Sequence, residues 1–183
     1  MLTDLQTKKL TRYFHVYDID DDGRIDSADF ARIVENVRVL HGTDDNSAAA
    51  DALREAYQTL WRGLRSAADG DGDGGVSLDE WLAYWQLALE DDGRYEAEVH
   101  SLTDRLFTVF DLDEDDTIGA AEFMDFYGIF GLSVDLAETV FVELDADGDG
   151  VISRDELLEV SRDFFRSDDP EAPGNLLFGP YGA

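Results

Sequence analysis

The chain has 183 residues and 44% apolar content, enough to fill a real core in one ordinary domain or two small lobes. Its 43 acidic residues against 14 basic ones leave a formal charge of −29. Such a field repels phosphate backbones and anionic lipid surfaces, and no Lys/Arg cluster stands against it, so neither nucleic acid nor membrane is an expected partner.

The absence of cysteine excludes disulfides and thiolate metal sites and fits a reducing compartment. The N-terminus, MLTDLQTKKLTRYF, lacks the apolar stretch of a signal peptide, Leu2 stands where a myristoylation signal needs glycine, and no apolar run approaches bilayer length. A cytoplasmic protein is expected. Self-repulsion of this size also asks for bound cations.

In chain order, Thr3 and Gln6 have the spacing of a capping box. Leu10, Tyr13, Phe14 and Tyr17 then recur at helical spacing and lead into DIDDDGRIDSAD, Asp18 to Asp29. Phe30, Ile33, Val34 and Val37 predict the next helix, which ends at Gly42, where GTDDNS reads as a loop. Leu53, Leu60, Trp61 and Leu64 lead into DGDGDGGVSLDE, Asp69 to Glu80; Trp81, Leu82, Trp85 and Leu89 lead out of it, to a turn at Asp91 to Gly93. Leu102, Leu106 and Phe110 precede DLDEDDTIGAAE, Asp111 to Glu122, and Phe123, Phe126, Tyr127 and Phe130 follow it as far as Gly131. Leu136, Val140, Phe141 and Leu144 precede DADGDGVISRDE, Asp145 to Glu156; Leu157, Val160, Ser161 and Phe164 follow until Pro170 and Pro173 bar further helix. Aromatic stripes at this spacing read as core rather than as a ligand pocket.

The four acidic segments are one twelve-residue pattern. Carboxylates recur at positions 1, 3, 5 and 12, glycine stands at position 6 as Gly23, Gly74 and Gly150, and Asp116 replaces it in the third copy. Calcium is a hard cation that takes six to eight oxygens, and one tight loop can offer alternate side chains, a carbonyl at position 7 and a final bidentate carboxylate. The candidate ligands are Asp18, Asp20, Asp22, the Arg24 carbonyl, Asp26 and Asp29; Asp69, Asp71, Asp73, the Gly75 carbonyl and Glu80; Asp111, Asp113, Asp115, the Thr117 carbonyl and Glu122; and Asp145, Asp147, Asp149, the Val151 carbonyl and Glu156. The bland alternative is a solvated acidic face. With this composition, however, the full D-x-D-x-D-G-x₅-E pattern arises by chance at roughly three in 10⁵ starting positions, yet two loops match it completely.

Up to four calcium ions are therefore expected, most firmly in the loops at Asp69 and Asp145. Asp29 is one methylene shorter than glutamate, which favours magnesium in the first loop. The third has the Asp116 bend and lacks a side chain at Gly119, so magnesium is a candidate there too. Position 8 is apolar throughout, as Ile25, Val76, Ile118 and Ile152, and predicts short strands that couple neighbouring loops. The expected architecture is all-α, four helix-loop-helix units in two pairs packed into one body: 1–93 with the first two loops, 94–183 with the last two and an apolar tail.

These four units resemble the EF-hand superfamily. Within it the long first connection, the compact size and the C-terminal GNLLFGPYGA resemble sarcoplasmic calcium-binding proteins and their bacterial calerythrin relatives. The resemblance implies calcium buffering, magnesium competition at some loops, and a tail in which Leu176, Leu177 and Phe178 pack against the lobes. It also implies a degenerate second loop, from which this chain departs, because all the second loop's pattern residues are in place.

A monomeric calcium buffer is the leading reading, and a sensor that exposes an apolar groove to a protein partner is the alternative. Only Met1 and Met124 are methionine, which weighs against an adaptable groove. Catalysis is not expected: His15, His41 and His100 are scattered, no serine lies in a nucleophile motif, and the acidic clusters are accounted for by metal ligation.

Overall fold

The computed structural model describes residues 1–40, 42, 44–111 and 115–181, side chains at positions 49, 105 and 108–110 excepted. The apolar position expected at Phe110 therefore lies, as a side chain, outside the described residues, as does His41. Among the described residues there are eight helices: α1 (Asp4–Tyr17), α2 (Ser27–Leu40), α3 (Ala48–Ala68), α4 (Leu78–Glu90), α5 (Asp92–Phe110), α6 (Ala120–Ile129), α7 (Val134–Leu144) and α8 (Arg154–Arg166).

Short-range chemistry sets their ends. The Thr3 hydroxyl accepts the Gln6 N–H while the Gln6 side chain accepts the Thr3 N–H, the capping box read from the sequence. Ser77 with Glu80 and Ser153 with Glu156 do the same for α4 and α8.

Two readings are corrected. The turn expected at Asp91 to Gly93 is a single residue: Asp91 accepts the Arg94 N–H at 2.9 Å and caps α5, so Gly93 lies in that helix's first turn. Leu136, expected in the core, is 38% exposed. The buried face of α7 runs Ala137, Val140, Phe141, Leu144, and one residue of displacement rotates Leu136 about 100° off it.

Each pair of loops is joined by a two-stranded antiparallel ladder. β1 (Arg24–Ile25) pairs with β2 (Val76–Ser77), placing Ile25 opposite Val76, and β3 (Thr117–Gly119) pairs with β4 (Val151–Ser153), placing Ile118 opposite Ile152. All four position-8 side chains are buried, while the strand residues beside them are only partly so, as the two-residue period of a strand requires.

The two halves share one apolar core. Tyr13 stacks on Phe178 at 4.1 Å and meets Trp81 edge-on at 5.0 Å, and Trp85 stacks on Phe165 at 4.3 Å. The Trp81 indole donates to the Leu10 carbonyl at 2.9 Å, tying α4 to α1. After α8 a 3-10 turn, Pro173–Leu176, brings the tail back, and Leu177 and Phe178 are each 1% exposed.

Lys9 secures that tail. Its buried ammonium donates to the carbonyls of Asp163 and Ser167 at the end of α8, at 3.1 and 2.8 Å, and to Asn175 Oδ1 at 2.9 Å. A cation at a helix C-terminus faces the negative end of the macrodipole, which supports this placement. Arg12 Nε adds a bond to the Phe178 carbonyl at 2.8 Å.

Candidate metal centres

Every loop starts where a helix stops. Asp18, Asp69, Asp111 and Asp145 are the C-caps of α1, α3, α5 and α7, and their N–H groups close the last helical bonds onto Phe14, Arg65, Phe107 and Phe141. The helix thus aims the first carboxylate, and the loop then wraps around it. Asp18 accepts the N–H groups of Asp22 and Gly23, both at 3.0 Å, and Asp69 accepts those of Gly72 and Gly74, at 2.7 and 3.2 Å. Asp111 accepts from Asp115 and Asp116, and Asp145 from Gly148, Asp149 and Gly150.

That wrapping requires left-handed backbone. Gly23, Gly74 and Gly150 have φ of 86°, 98° and 93°, and Asp116 adopts 64° in the same place. The sequence reading missed a second left-handed position, the fourth, where Gly72 and Gly148 have φ of 75° and 72° and Asp21 has 57°.

Position 12 closes each loop. Glu80 Oε1 accepts from Gly70 and Asp71 while Oε2 accepts from Ser77 N and Oγ, so one carboxylate spans both ends of the ring. These bonds from Ser77, with those from Asp71 and Gly70, hold Glu80 below the usual carboxylate range. Burial pushes Glu156 upward, but the equivalent bonds from Ser153, Asp147 and Ala146 outweigh it and leave its pKa lowered. Glu122 accepts the Gly119 N–H at 2.8 Å. Asp29 makes the same pattern with a shorter side chain, taking Ile19 at 2.9 Å, Asp20 at 3.4 Å and Asp26 at 2.8 Å. It is 1% exposed, and burial raises its pKa against those bonds.

Acid oxygens converge to within 4.8 Å of one another in three groups among the described residues: Asp18, Asp20, Asp22; Asp69, Asp71, Asp73; and Asp145, Asp147, Glu156. Such all-oxygen sets suit a hard divalent cation. Asp26, Asp29, Glu80 and Asp149 stand outside these groups. Asp26 is turned onto the Ala28 N–H at 2.5 Å and Asp149 onto the Val151 N–H at 3.0 Å. In the third loop Asp115 takes the Thr117 N–H and hydroxyl at 2.9 and 2.6 Å, while Asp113 lies outside the described residues. Arg24, Gly75, Thr117 and Val151, the position-7 residues, sit at or beside the strand starts.

Arginines form a layer that the sequence reading did not anticipate. The Arg24 guanidinium crosses to Asp73 and, by that hydrogen bond above all, holds the Asp73 carboxyl below the usual range. Arg32 lies 3.2 Å from Asp20, Arg65 lies 3.1 Å from Asp69 and Arg154 lies 3.5 Å from Asp116. His15 Nδ1 stands 3.9 Å from Asp18 Oδ2 and forms a further group with Asp18 and Asp21. The pairing of Arg24 opposite Ser77 in the first ladder explains the first contact, and one turn of α1 explains the last.

Comparison with known proteins points the same way. The EF-hand domain pair matches residues 101–162, and the EF hand matches residues 11–34 and 66–83. Calerythrin of Saccharopolyspora erythraea is 25% identical over 166 residues, covering 90% of this chain and 94% of that protein. A probable calcium-binding protein of Oryza sativa subsp. japonica is 30% identical over 150 residues, 81% of this chain and 74% of that one. The solved structure of a sarcoplasmic calcium-binding protein from amphioxus shares the fold, with a TM-score of 0.71 at 20% identity over 98% of this chain and 99% of that chain.

Proposed function

This chain belongs to the EF-hand family of calcium-binding proteins, and on that premise we propose that it is a cytoplasmic, monomeric calcium buffer. Its ligands in this reading are the carboxylates at positions 1, 3, 5 and 12 of all four loops, with the position-7 carbonyls of Arg24, Gly75, Thr117 and Val151. The loops at Asp69 and Asp145 take calcium first, and the loop closed by Asp29 exchanges with magnesium, because a shorter carboxylate suits six-fold better than seven-fold coordination. The loop with Asp116 at its bend is the other place for magnesium.

The observation that carries this reading is the covered apolar interior. A sensor needs a groove to open, whereas here Leu177 and Phe178 fill the space between the halves and Lys9 and Arg12 hold them there. The two pairs, 1–93 and 94–183, act in this proposal as one body.

The test is a calcium titration of metal-free protein in a physiological magnesium background, followed with a dye that reports exposed apolar surface. A flat or falling signal is expected. A rise across the micromolar calcium range overturns buffering in favour of a sensor with a protein partner.

A further inference from the structure

The second and fourth loops carry the same complete pattern of ligands, yet their surroundings differ. In the second, the Arg24 guanidinium binds Asp73 and Arg65 Nε lies 3.1 Å from Asp69, so two of the three convergent carboxylates hold a cation belonging to the chain itself. In the fourth, none of Asp145, Asp147, Asp149 and Glu156 forms an ion pair with Lys or Arg among the described residues. Arg154, inside that loop, turns away to Asp104 and Asp116.

With 43 acidic residues in the chain, an arginine beside a carboxylate is ordinary. What singles out Arg24 is Gly75. This residue follows the bend glycine but is not itself left-handed, and the other loops carry Arg24, Thr117 and Val151 at the same position. Backbone conformation therefore does not demand glycine there. A Cβ at Gly75 would lie 2.6 Å from Arg24 Nη2 and 2.8 Å from its Nε. The side chain that Gly75 lacks is the space that the guanidinium fills. The ladder brings it there, since Arg24 stands opposite Ser77, two residues beyond Gly75.

We propose, given that both loops take calcium as set out above, that Arg24 is a tethered cation competing with calcium at the second loop, which lowers that loop's affinity and makes it fill after the fourth. A divalent ion held by Asp73 draws on the same negative charge as the guanidinium, and the two cations repel each other across a carboxylate. The contact is partly exposed, so solvent and salt weaken the competition without abolishing it. Arg24 belongs to the first loop through its backbone and acts on the second through its side chain. Replacing the side chain therefore leaves the first loop's position-7 carbonyl in place.

The experiment follows the backbone amide resonances of Gly74 and Gly150 in the full-length protein, at free calcium levels set by a chelator. Each amide donates to the first carboxylate of its own loop, so each reports one site. In the parent chain Gly150 is expected to respond at lower calcium than Gly74. Arg24→Gln is expected to move the Gly74 midpoint to about threefold lower calcium or further, leaving Gly150 unchanged. Gly75→Ala, which crowds the guanidinium off Asp73, is expected to shift Gly74 in the same direction, and to add little in the Arg24→Gln background. Arg62→Gln is the control for net charge: Arg62 bonds the Gln58 carbonyl and the Thr59 hydroxyl and touches no ligand carboxylate. A Gly74 shift in Arg24→Gln no larger than that in Arg62→Gln overturns the competition, and so does a parent chain in which Gly74 responds before Gly150. A Gly74 resonance that calcium never moves, in parent or variant, instead refutes calcium binding at the second loop.

Discussion

Lys9 has no exposed side chain, and burial lowers its pKa from 10.5 to about 8 against the upward pull of Asp168 and Asp163. Between those two values the unfolded chain holds the proton that the folded chain has released, so this group's contribution to stability rises with pH. Denaturant melts from about pH 7.5 to about pH 9.5 should show the parent chain gaining on Lys9→Met; a pH-independent difference would refute the assignment. At Asp116, φ of 64° is a conformation that costs a residue with a Cβ about 1 kcal/mol relative to glycine. Asp116→Gly should stabilise the protein by about that amount, because the exposed contact to Arg154 that it removes is worth little. Asp29→Glu makes a third test: added reach should favour bidentate closure and raise calcium over magnesium preference at the first loop. Competition titrations with unchanged selectivity would show that loop geometry, rather than side-chain length, sets the preference.

Among the elements, the tail is held by backbone contact as well as by side chains. A Cβ at Gly174 would lie 2.4 Å from the Val160 carbonyl oxygen and 2.4 Å from Asp163 Cβ, both on α8. The 3-10 turn therefore seats directly against the helix backbone, close enough for Asn175 to reach Lys9 and for Leu177 and Phe178 to enter the core. Gly174→Ala should cost roughly 1–3 kcal/mol by overpacking. It should also raise apolar-dye fluorescence in the calcium-loaded protein as the tail lifts. A destabilised variant whose dye signal stays at the parent level would mean that the turn shifts without releasing the tail.

At the scale of the whole molecule two facts oppose each other. The Tyr13, Trp85, Phe165 and Phe178 rings join both halves in one core, while a formal charge of −29 pushes the chain apart. Each calcium that the loops bind removes two units of that charge, and screening by salt substitutes for part of the effect. Metal-free protein should therefore gain thermal stability steeply between about 10 mM and about 500 mM salt, and calcium-loaded protein much less. Equal salt dependence in both states would show that charge neutralisation is not how calcium stabilises this fold.

What the sequence determined by itself was local. A twelve-residue loop carries all its candidate donors within one segment, so spacing alone located the four loops, the left-handed bends at Gly23, Gly74 and Gly150, and the paired position-8 residues. Helical periodicity likewise found the apolar faces, failing at Leu136 because an apolar residue one step off the stripe looks the same in sequence. Tertiary structure alone decided what those faces meet. It brought Arg24 to Asp73, 49 residues away, buried Lys9 against α8 and Asn175, and stacked the rings of α1 and α4 on Phe178 and Phe165. Periodicity specifies the direction in which a side chain points along its own helix. Only packing the helices against one another specifies whether a neighbour, a counter-charge or empty space stands opposite.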